Sequence, residues 1–296
     1  MSIKEIYHEV NHLGGDSLHI LKSAIKTFGE KQAPQASAGL AYYTLLSMFP
    51  LLLVFIAGGS YFLDRNQVFN TVTQFIQQAL PISRAVINEN LRQILEQRST
   101  AGILSIVILL WAASAMFTNL AYNINLAWPR ASRRNFLQSR LIGLWMILGL
   151  IGLILISLIL SWITASLPFL NFNSTAPANL LLLRLISAFG SWLLIFLVFL
   201  TLYHRVPTLP VHWKATFWGA LLASLAWKAV TAGFAWFLDS SYGQYQLVYG
   251  SLGAIVAFLF LIYIISLITL FGAHLSAAIE SWDKEKGQRK NQITLG

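Results

Sequence analysis

The chain has 296 residues, 56% of them hydrophobic and only 10% charged, against roughly one quarter charged in an ordinary soluble domain. That composition excludes a soluble globular protein, and the lack of cysteine excludes disulfides, thiolate metal sites and cysteine nucleophiles. The net charge of +9 therefore has to be read against a membrane rather than a solvated surface.

A bilayer core about 30 Å thick needs about 20 apolar residues in a helix. Backbone amides find no water partner in lipid, and the alternating pattern of a barrel strand is missing, so helices are the spanning element. The expected fold is all-α, polytopic and a single domain over residues 1–296, because no internal repeat, linker or low-complexity tract divides the chain.

Residues 1–36 come first, with no cleavable signal expected ahead of the first span. Ile3, Ile6, Tyr7, Val10 and Leu13, then Leu18, Leu21, Ile25 and Phe28, recur at helical spacing on either side of Gly14-Gly15. The pattern predicts two short amphipathic helices on the inner membrane surface. His8, His12 and His19 lie in this segment without a supporting carboxylate and read as solvated helix faces rather than a metal site.

The first span, Ser37 to Leu63, is free of charge throughout and unusually decorated: Tyr42, Tyr43, Thr44, Ser47 and Pro50 interrupt the apolar run. Pro50 removes one backbone hydrogen bond and is expected to kink the helix near Leu46 to Met48. Two readings stand for Tyr42, Tyr43, Ser47 and Pro50, a tightly packed central helix or a helix that lines a substrate route. Residues 64–99 follow, with two amphipathic stretches divided by Pro81, and predict a helical cap on the outer face.

The second span, Thr100 to Leu126, carries Asn119 and Asn123 on one face, either as glue between helices or as part of a binding site. The third and fourth spans, Leu141 to Leu167 and Leu180 to Leu202, are plainer, and Arg184 is near enough to the end of its span to snorkel. In the fifth, Ala215 to Leu238, Lys228 falls near the midplane. An ionisable group there costs at least about 2.5 kcal/mol unless it is paired, hydrated or neutral, so it should face the protein interior. The sixth, Tyr249 to Ile279, opens on Gly250 and Gly253, which suit close packing or a gate, and ends on His274, a packing residue or a titratable one.

Placing both termini in the cytoplasm puts fourteen Lys and Arg residues inside and leaves Arg65, Arg84, Arg92 and Arg98 outside, the asymmetry expected of an inner-membrane protein. Those positions account for the basic balance without nucleic acid, and suit anionic lipid headgroups as partners. No HExxH, Walker loop or GxSxG occurs, so no enzyme activity, metal or cofactor is expected.

Four stretches together resemble the YihY/virulence factor BrkB family of inner-membrane proteins: ASAGLAYYTLLSMFPLLL, NINLAW at Asn123 to Trp128, RVPTLPVHWKATFWGALLASLAWK at Arg205 to Lys228, and QLVYGSLGAIVAFLFLIYIISLITLFGAHL. The resemblance implies a six-span bundle and covers nearly the whole chain. Where that family ends its last span in Gly-Ala-Glu, this chain has Gly272-Ala273-His274. Members were once labelled ribonuclease BN, a label for which this sequence offers no chemistry. The expectation is a transporter or exporter of a lipid-like or anionic amphiphile, with a cavity lined by spans one, five and six. A noncatalytic envelope scaffold is the alternative, and a homo-oligomer is compatible with both.

Overall fold

The structure, a computed structural model, describes residues 3–59, 103–166, 177–249 and 251–295. Gly250 and the expected outer cap lie outside the described residues. Seven helices and no strands occur among them: α1 Ile3–Glu30, α2 Ala33–Gly59, α3 Ile103–Leu126, α4 Phe136–Ser166, α5 Pro177–Arg205, α6 Trp213–Tyr249 and α7 Ser251–Leu295. Within the described residues, each of the six expected spans overlaps one of α2 to α7. By length and apolarity, three stretches among the described residues are able to cross a membrane: Phe136–Leu153, Trp213–Phe237 and Ile255–Gln288.

The N-terminal segment differs from expectation. It is one helix that runs through Gly14-Gly15, not two. Two interior glycines cost about 2 kcal/mol relative to alanine, and packing along α7 offsets that cost. Asp16 pairs with Lys286 at 3.0 Å, His19 packs at a tilt against Trp282 with ring centroids 4.6 Å apart, and Phe28 meets Phe271 edge-on at 5.6 Å. Low residue numbers of α1 thus meet high numbers of α7, and the two run antiparallel. The turn between α1 and α2 consists of Lys31 and Gln32, and Gln32 has φ of 52°. This left-handed residue reverses the chain where α1 ends, in the place glycine usually takes.

Side-by-side packing gives the order α4, α3, α2, α7, α6, α5, with α1 laid on α7. The last helix therefore separates α2 from α6. Its contact with α6 is the most extensive between any two described helices. A Cβ added at Gly219 would sit 2.5 Å from the Gly272 carbonyl and 2.0 Å from Ser276 Oγ, so only hydrogen fits there. Tyr203, fully buried at the end of α5, donates its hydroxyl to the Thr269 carbonyl at 2.8 Å and ties the third helix of that group to α7. The largest buried cluster, which includes Leu40, Ile124, Trp128, Tyr203 and Leu270, lies where the α1–α2 turn, the α3–α4 loop and the α5–α6 loop gather.

Candidate functional site

The basic loops meet at that end. Helix α3 stops at Leu126 through a tightened last turn, with the Ala127 N–H on the Ile124 carbonyl at 3.1 Å, and Pro129 prevents its continuation. Asn125, one residue before the stop, is only 8% exposed. Its amide nitrogen donates to the Ser132 carbonyl at 2.9 Å, and its oxygen accepts the Thr208 N–H at 2.9 Å. The Thr208 hydroxyl also donates to Ser132 O at 3.1 Å, and the Arg134 guanidinium donates to the Val206 carbonyl. One side chain thus braces the α3–α4 loop against the α5–α6 loop, satisfying amides that a membrane edge would otherwise leave unpaired.

Beside this brace is a cavity of about 280 Å³, walled by Lys31, Arg133 and Arg134 together with Asn125, Trp128 and Ile142. Lys31 arrives from the α1–α2 turn, the arginines from the extended part of the α3–α4 loop, and Ile142 from α4. Lys31 and Arg133 are exposed and Arg134 is half-buried. None of the three forms an ion pair with a carboxylate among the described residues. Burial draws the Arg134 guanidinium below its ordinary pKa, yet arginine keeps its charge in proteins. Trp128, also on the wall, is 4% exposed, and its indole N–H has no acceptor among the described residues. Three cations with no acid on the wall make a site for an anion, whereas the Trp128 N–H is shut off from the cavity by burial.

A second polar cluster is a strut rather than a site. Glu280, buried near the C-terminal part of α7, accepts the His212 backbone N–H at 2.9 Å, contacts the His212 ring Nδ1 at 2.8 Å and takes Lys284 Nζ at 2.8 Å. It thereby fixes the start of α6, an acid at a helix N-terminus.

The residues singled out from the sequence are dispersed. Tyr42 and Tyr43 stack edge to face at 5.9 Å and are 58% and 41% exposed on α2. Ser47 is buried, with its hydroxyl 3.4 Å from the Ala112 carbonyl of α3. Helix α2 is continuous through Pro50, whose side chain lies outside those described, and Gly253 lies in the first turn of α7. Asn119 and Asn123 meet each other, Asn123 Nδ2 donating to Asn119 Oδ1 at 2.6 Å and to its carbonyl at 2.9 Å. His274, buried to 2% exposure, places Nδ1 3.2 Å from Thr27 Oγ1 and packs edge-on against Phe28, between α7 and α1. Lys228 is half-buried on α6, with α7 between it and the tyrosines of α2. The cavity draws instead on the first turn, on α3 and on α4.

Asn125 and the cavity cations were not singled out as site residues. Asn125 had a signal in the NINLAW stretch, where it follows Asn123 at a helix end. The sequence explains the cations as topogenic charge suited to anionic lipid headgroups, without gathering Lys31, Arg133 and Arg134 into one site.

An all-helical chain with several membrane-length apolar helices and cations gathered at one end is an integral membrane protein. It belongs to the virulence factor BrkB family, whose profile matches residues 24–294. Similar proteins include a UPF0761 membrane protein of Legionella pneumophila (strain Corby), 27% identical over 269 residues, which are 90% of this chain and 63% of that protein. A UPF0761 membrane protein of Vibrio cholerae is 31% identical over 254 residues, 82% of each chain. The ribonuclease-like protein YfkH of Bacillus subtilis is 24% identical over 90% of this chain and 97% of its own. The chain thus spans less than two thirds of the Legionella relative and nearly all of the Bacillus one. No solved structure matches.

Proposed function

We propose that this protein is a six-span inner-membrane transporter or exporter of an anionic amphiphile, with both termini in the cytoplasm. The observation that supports it is the basic cavity: Lys31, Arg133 and Arg134 converge at one end of the helical bundle without an acid among its walls. By the positive-inside rule that end faces the cytoplasm, at the depth of the inner-leaflet headgroups. Headgroup capture thus falls to the α1–α2 turn and the α3–α4 loop, ahead of the cavity of spans one, five and six expected from the sequence. Tyr42, Tyr43, Ser47 and Lys228 are candidates for a separate, deeper stretch of the route. Energy would come from a gradient or a partner, since the chain carries no nucleotide-binding loop.

Two experiments test this reading. Reporter fusions after Gly296 and within the loop around Thr175 should report opposite sides of the membrane; a shared side sinks the six-span topology. Native mass spectrometry of the purified chain should show retained anionic lipid in excess over neutral lipid. A preparation that retains neither leaves the noncatalytic scaffold as the better account.

A further inference from the structure

We infer that the anion taken by the basic cavity is a phosphomonoester rather than a phosphodiester. This rests on the reading of the cavity as a headgroup site and goes on to name the headgroup's chemistry.

The argument starts from charge. A phosphodiester carries one negative charge, whereas a monoester carries about 1.5 to 2 at neutral pH. The wall offers Lys31, Arg133 and Arg134, and none is neutralised by a carboxylate among the described residues. One negative charge leaves two of these cations uncompensated at the edge of a low-dielectric layer; a second charge is met by groups already in place. Donor count points the same way. A diester has two unesterified oxygens and a monoester three, while the wall presents an ammonium and two guanidinium groups. Arg134 spends one of its five donors on the Val206 carbonyl, which fixes the group in place and leaves the others for the ligand.

Size then limits what else enters. A volume of 280 Å³ is just under the approximately 300–1,000 Å³ of sites that enclose a drug-sized ligand. It admits a phosphate and its first carbons, so the acyl or prenyl chains of a lipid stay outside. The Ile142 and Leu126 side of the wall is the apolar neighbour for those first carbons.

The test uses the full chain in nanodiscs of neutral phosphatidylcholine containing equal amounts of phosphatidic acid, a monoester, and phosphatidylglycerol, a diester. Native mass spectrometry at pH 7.5 should find phosphatidic acid retained roughly tenfold over phosphatidylglycerol, the effect of about one further charge-assisted hydrogen bond. Arg133→Gln, at an exposed position, should collapse that ratio, while Arg130→Gln, exposed on the same loop but off the cavity wall, should preserve it. Equal retention of the two anionic lipids overturns the monoester assignment and leaves the anionic-amphiphile reading standing. Retention of neither overturns that reading itself. Equal loss from Arg130→Gln and Arg133→Gln assigns the preference to general surface charge and also overturns the site. Displacement of phosphatidic acid by free glycerol phosphate at equal concentration supports the monoester but makes the ligand a soluble one.

Discussion

Two contacts along the α4–α3–α2–α7–α6–α5 row solve the same problem in opposite ways. Between α6 and α7, small residues bring backbones into contact: Gly219 lies against the Gly272 carbonyl, and Gly272 lies under the Tyr203 hydroxyl. Beyond the end of α3, polar side chains brace the α3–α4 loop against the α5–α6 loop and a cavity remains beside them. The closed contact leaves no room for a ligand. The braced one holds cations in fixed places without filling the space between them. Glycine closes the α6–α7 contact, whereas hydrogen bonds between loops leave the cavity open.

The largest effect should come from breaking the closed contact. Gly219→Val drives a branched side chain into the Gly272 carbonyl and Ser276, at a cost of about 1–3 kcal/mol or more. Folded yield by size-exclusion chromatography after mild heating should fall sharply, and with it every binding readout. Asn125→Ala attacks the brace. It removes two hydrogen bonds and strands the Thr208 N–H, with an expected loss of roughly 1–3 kcal/mol. Here anionic-lipid retention should drop more than thermal stability does. Parallel loss of the two would make the brace structural only.

Arg133→Gln sharpens the comparison, since its side chain is exposed and leaves the fold untouched. Thermal stability should stay within about 0.5 kcal/mol, while lipid retention falls. The smallest effect is expected for Tyr43→Phe, because the ring lies exposed on α2 and away from the cavity. Stability and headgroup retention should both hold. A fall in transport with retention preserved would place Tyr43 on the later part of the route, and the double variant with Lys228→Met extends that test to α6.

The helices were legible because apolar length over a bilayer's thickness is a one-dimensional property, readable residue by residue. The candidate site was less so. Tyr42, Tyr43 and Lys228 stand out in the sequence because polar groups are rare in apolar runs, yet rarity says nothing about which helices are neighbours. The insertion of α7 between α2 and α6 separates residues that the linear reading had grouped. Lys31, Arg133 and Arg134 were hidden for the converse reason. Basic residues beside spans are expected for topology alone, so their convergence has no separate signature.

Composition and hydropathy by themselves determined an all-helical membrane chain, its helix positions and its charge asymmetry, because burial in lipid depends on each segment's own apolar surface and on local backbone hydrogen bonding. Only the tertiary structure decided that α1 is a single helix against α7, that Asn125 rather than Asn119 or Asn123 joins two loops, and that a left-handed Gln32 sets the turn from which Lys31 reaches the arginines of a distant loop. Those outcomes depend on which surfaces meet, and neighbours far apart in the chain are chosen by packing and by pairing of buried polar groups, neither of which a single segment encodes.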